Sequence, residues 1–73
     1  MKYGVFLFNT TTAAMQAQKV LTNKGYGVTL IPAARQFNSA SGMAVRFNWI
    51  EEACVKEVLD KANVHFQAVR EVV

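Results

Sequence analysis

With 73 residues, 52% of them apolar, and a formal charge of +3, the chain has room for one domain with a modest core and is too apolar to stay disordered. Its single cysteine, Cys54, excludes an intramolecular disulfide framework and a multi-cysteine metal centre. The opening Met1, Lys2, Tyr3 and the short apolar run to Asn9 fall short of a signal-peptide core or a membrane span, so the expectation is a soluble, cytoplasmic protein without membrane contact.

Residues 2–9, KYGVFLFN, are rich in strand formers and run into Asn9, Thr10, Thr11 and Thr12, whose side chains can accept hydrogen bonds from the free N–H groups of a helix start. The stretch 12–25 then predicts a helix. Ala14, Ala17, Val20 and Leu21 recur at helical spacing, and Gly25 is a natural stop. Residues 26–32, YGVTLIP, read as a second strand closed by Pro32. Residues 43–49 alternate, with Met43, Val45 and Phe47 on one face and Ala44 and Arg46 on the other, giving a third strand. Asn48 with Glu51 three residues on has the form of a capping box and opens a second helix to about Ala62, with Val55, Val58, Leu59 and Ala62 as its apolar stripe. Residues 65–73 close the chain as a fourth strand.

The order β-α-β-β-α-β predicts one ferredoxin-like α+β domain over residues 1–73: a four-stranded antiparallel sheet with both helices on one face. The first strand is apolar on both sides. Either Tyr3, Val5 and Leu7 or Gly4, Phe6 and Phe8 must therefore face away from the helices, which predicts that the open sheet face packs against a second copy, a ligand or a partner, a homo-oligomer being expected and an interaction or regulatory module the alternative to anion binding.

Charge is unevenly placed along this framework. Residues 1–49 hold Lys2, Lys19, Lys24, Arg35 and Arg46 and no acid, while Glu51, Glu52, Glu57, Asp60 and Glu71 all follow. The earlier part should therefore attract anions. Between the second and third strands lies a connection longer than a hairpin needs. It and the strand after it bring Arg35, Asn38, Ser39, Ser41, Gly42 and Arg46, a set of donors and a permissive glycine suited to cradling a small anion. The alternative is an ordinary polar turn whose arginines pair with acids of the second helix.

Pro32, Arg35, Ser39, Gly42, Arg46 and Phe47 stand where a small bacterial family of selenium/sulfur carrier-like proteins has P-x-P-R-x-x-S-S-S-C-G, a short apolar stretch and R-F. The chain resembles that family over nearly its whole length. The family's loop cysteine falls on Ser41 here, and a hydroxyl forms no persulfide, so the resemblance implies the family's fold without its thiol chemistry.

Catalytic chemistry finds little to work with. Ser41 would need a base and an orienting acid, yet His65 is the single histidine and no acid precedes Glu51. We therefore expect no enzyme activity, no metal and no cofactor. Cys54 precedes Val58 by four residues and Ala62 by eight, which predicts a buried thiol on or beside the helix stripe. Phe6 and Phe8 suggest base stacking as in RNA-recognition modules, but Met43 and Val45 stand where the third strand of such a module carries aromatics, which argues against nucleic acid.

Overall fold

A computed structural model gives the structure of the protein and describes residues 2–32 and 42–72. The elements run β1 (Tyr3–Leu7), α1 (Thr11–Asn23), β2 (Thr29–Pro32), β3 (Met43–Asn48), a 3-10 turn (Trp49–Glu51), α2 (Glu52–Lys61) and β4 (Ala68–Val72). Every strand pairing is antiparallel and the sheet order is β2-β3-β1-β4. This is the βαββαβ arrangement expected from the alternation and helical periodicity of the sequence.

The two sides of β1 divide the apolar residues into separate clusters. Phe6 and Phe8 join Val45 and Phe47 of β3, Ala14, Ala17 and Leu21 of α1, and Val55 and Leu59 of α2 in the main core. Both helices thus cover one side of the sheet. The Phe6 ring stacks on Phe47 with 4.5 Å between centroids and lies 4.8 Å from Phe66, so rings rather than aliphatic chains fill the centre. On the other side Val5, Leu7 and Ala44 form a smaller cluster edged by Tyr3, Ile31, Ala68 and Val72. Val5 and Ala44 are 0% exposed and Leu7 3%, so the middle of the open face is already shielded within one chain.

Local chemistry sets the helix ends. Thr10 Oγ1 accepts from the Ala13 N–H at 3.1 Å and caps α1. Its C-terminus is a Schellman turn. Gly25, at φ 92°, donates to the Thr22 carbonyl at 3.0 Å, and Tyr26 donates to the Leu21 carbonyl at 3.0 Å, a geometry that favours glycine at the left-handed position. The second helix ends in the same way with Asn63, at φ 58°, in the glycine's place, as Asn63 donates to Asp60 at 3.1 Å and Val64 to Leu59 at 2.9 Å. We expect Asn63→Gly to preserve or slightly raise stability, because glycine has no Cβ to meet the following carbonyl, and Asn63→Ala to cost about 1 kcal/mol, because alanine keeps the Cβ but loses the short polar side chain that lets asparagine tolerate this angle. Urea unfolding checks the ranking; an alanine variant as stable as the parent contradicts it.

The start of α2 departs from the expected capping box. Asn48 Oδ1 accepts from Ile50 N at 3.4 Å and caps the short 3-10 turn, and α2 begins only at Glu52. The pairing of β3 with β1 continues to Asn48 against Tyr3, and the Trp49 N–H donates to the Lys2 carbonyl at 3.4 Å. The chain therefore remains tied to the central strand β1 through Trp49, and the tighter turn carries it over to the helix.

Candidate cationic site on the open sheet face

Register and alternation place Arg46. Ala44 belongs to the open-face cluster while Met43, Val45 and Phe47 face the helices, so Arg46 and Asn48 project to the open side. Its neighbours across the sheet are Val5 on β1 and Thr29 on β2. Its guanidinium carbon sits 4.0 Å from the centroid of the Tyr3 ring. Such stacking contributes about 0.5–1 kcal/mol at exposed positions and fixes the direction of the cation.

A cleft of about 430 Å³ opens beside this pair and is lined by Lys2, Tyr3, Gly27, Thr29, Arg46, Phe47 and Asn48. It lies at the end of the sheet where β1 and β2 start and β3 finishes. Arg46, the Thr29 hydroxyl, the Asn48 amide and the Gly27 backbone are donors that could meet a small anion there, whereas Lys2 on the rim is paired with Glu71 at 3.4 Å. A larger cleft of about 660 Å³ runs along α1 between Met15, Lys19, Thr22 and Leu30. Its lining is mostly apolar and contains one cation, so the smaller cleft is the better match to anion chemistry.

The acids of the second helix do not reach Arg46. Glu52 pairs with Lys56 and Glu57 with Lys61, each at 3.0 Å, on the helix side of the sheet, and Glu71 pairs with Lys2 at 3.4 Å. Among the described residues, Arg46 has no carboxylate within ion-pair distance. The ordinary-turn alternative, in which this arginine is neutralised by α2, is therefore set aside for Arg46.

Of the other residues expected to form the anion cradle, Arg35, Asn38, Ser39 and Ser41 lie outside the described residues. Gly42 has φ 76°, a left-handed angle that suits glycine and agrees with the permissive role expected of it. It is not brought beside Arg46. Gly42 precedes β3, four residues before Arg46, and Arg46 leans toward Tyr3, the partner of Asn48, away from Gly42. Sequence reasoning missed Lys2, Tyr3, Thr29 and Asn48, because only the pairing of β1 and β2 with β3 gathers them.

Two further expectations are resolved by position. Cys54 is exposed rather than buried. It stands one residue, about 100° of rotation, from the buried Val55, which puts it on the flank of the stripe. There it lies near Tyr26, whose hydroxyl pKa is raised first by desolvation and then by Cys54, Glu51 and Glu57. Phe6 and Phe8 are fully buried against the helices, so neither ring offers a stacking surface. His65 is exposed in the connection before β4, which starts at Ala68 rather than at the expected residue 65.

Among the described residues no three His, Cys, Asp or Glu side chains gather as a metal-binding group, and no helix is long and apolar enough to cross a membrane. Searches of curated proteins and of solved structures found no match to the chain. A family model does match, over residues 3–71, almost the full length and including every strand and helix except the last residue of β4. By that match the chain belongs to the family described as "Putative Se/S carrier protein-like".

Proposed function

We propose that the domain is a non-catalytic binder of small anions, with Arg46 as the anchoring cation and the cleft of Lys2, Tyr3, Thr29 and Asn48 as its surroundings. One observation carries this reading: the Arg46 guanidinium is held on Tyr3 at the cleft without a carboxylate partner among the described residues. The family description names selenium and sulfur, whose oxyanions are ligands of the right charge. Covalent carriage is less well supported. The one thiol, Cys54, stands on α2 across the sheet from Arg46, and position 41, where the sequence resemblance would put a family cysteine, is serine.

A second reading, a homo-oligomer joined through the open sheet face, draws on the partly exposed Ile31, Ala68 and Val72. The shielding of Val5, Leu7 and Ala44 within a single chain favours the anion reading over it.

Calorimetric titration with sulfate and with selenite at constant ionic strength tests the proposal. Arg46→Gln should weaken binding by about tenfold or more, the effect of removing one charge-assisted contact, while Cys54→Ser should bind as the parent does. Equal affinity of the parent and Arg46→Gln contradicts the assignment; loss of binding in Cys54→Ser restores the thiol as the working group.

A further inference from the structure

The uneven charge along the sequence becomes, in the folded domain, an uneven charge between faces. Ala68 and Val72 pack with the open-face cluster and Val69 with the main core, so Arg70 projects to the open side beside them. It pairs in register with Val5, which pairs on its other side with Arg46. Thr29, Arg46, Val5 and Arg70 thus form one row across all four strands. The acids lie elsewhere. Glu51, Glu52, Glu57 and Asp60 are on the turn and helix that cover the other side, and Glu71 alternates to that side and is bound to Lys2. Among the described residues the open face carries two guanidinium groups and no carboxylate, and Arg70, like Arg46, has no acid within ion-pair distance.

Tyr3 occupies the next open-face position on β1, paired with Asn48 and Val72, and is therefore diagonal to both arginines. Arg46 already leans over it. The Cα atoms of the two arginines are separated by two strand spacings, roughly 10 Å, a span that two extended arginine side chains can close from opposite sides. Each guanidinium presents a planar fork of donors that can take two oxygens of one oxyanion. A single carboxylate has oxygens and charge for one such fork. A tetrahedral dianion has both for two.

We propose that Arg46 and Arg70 form a two-point clamp on the open sheet face for a doubly charged oxyanion of the sulfate or phosphate class, seated against Tyr3. This rests on the anion reading of Arg46 and adds to it the second cation and the charge of the ligand. Both side chains are exposed, so their replacement by glutamine leaves the core intact.

The test compares sulfate with acetate, titrated by NMR at matched ionic strength into the parent, Arg46→Gln and Arg70→Gln. The parent should bind sulfate about tenfold more tightly than acetate, a difference of one charge-assisted contact. Arg70→Gln should abolish that preference and leave acetate binding nearly unchanged, whereas Arg46→Gln should weaken both. If Arg46→Gln weakens both anions but Arg70→Gln keeps the parent's preference, the clamp is wrong and the Arg46 site stands. Should Arg46→Gln change neither, or the parent bind neither anion, the Arg46 site fails and the clamp with it.

Discussion

Phe6→Ala should cost the domain about 3–5 kcal/mol, the usual result of truncating a buried aromatic residue. Phe6 is fully buried and touches three other rings, stacked on Phe47 at 4.5 Å, tilted against Phe66 at 4.8 Å and against Phe8 at 6.5 Å. It stands on the central strand β1, paired with Val45 and Val69, where neither neighbouring strand can move in to fill the space without breaking its own pairing. A chain of 73 residues has about 4–11 kcal/mol of total stability at the usual 0.05–0.15 kcal/mol per residue. The variant should consequently be largely unfolded or melt in very little urea. Circular dichroism across a urea series reads the loss directly, and a decrease below about 1 kcal/mol would mean that the ring cluster does not hold the sheet to the helices.

The second large effect comes from adding one carbon. Gly4 faces the helix side opposite Phe47, and a Cβ placed there would lie 2.6 Å from both the Phe47 and Trp49 rings. Real side chains do not approach so closely. Phe47 cannot retreat easily, since it is 1% exposed and stacked on Phe6, and Trp49 is held by its backbone bond to Lys2. Gly4→Ala should therefore destabilise by about 1–3 kcal/mol, the range for overpacking a filled core. The opposite outcome, a stabilisation from reduced chain entropy as at an unstrained glycine, would show that the two rings have room to shift.

Gly4 also explains a choice that alternation left open. Either set of β1 residues is apolar enough to face the helices, and hydropathy alone does not separate Tyr3, Val5, Leu7 from Gly4, Phe6, Phe8. The packing does, because the absence of a side chain at Gly4 makes space for two rings. The strand and helix order, the stripe of α1 and the two faces of β3 were legible in the sequence, since each depends on residues close together in the chain. Cys54 was misplaced because a spacing of four and eight residues to Val58 and Ala62 describes a helix edge as well as its centre. The cationic row was hidden for another reason. Arg46 and Arg70 come from parts of the chain with opposite charge balance, and only the pairing of β1 with both β3 and β4 sets them on one face.

The same pairing adds sheet residues to the surroundings of Arg46. Arg46 stands beside Tyr3 and Asn48 toward the end of β3, while Arg35, Asn38, Ser39 and Ser41 of the expected cradle lie outside the described residues. The chemistry inferred for it is unchanged, but its surroundings are contributed by sheet residues, which hold a side chain more firmly than a loop does.

The most direct test of the account is a crystal of the protein soaked in selenite, with anomalous difference density recorded at the selenium absorption edge. The account predicts a peak within hydrogen-bonding distance of the Arg46 guanidinium, on the open side of the sheet. A selenium peak bonded to Cys54, or well-ordered density around Arg46 with no anomalous signal there, would contradict it.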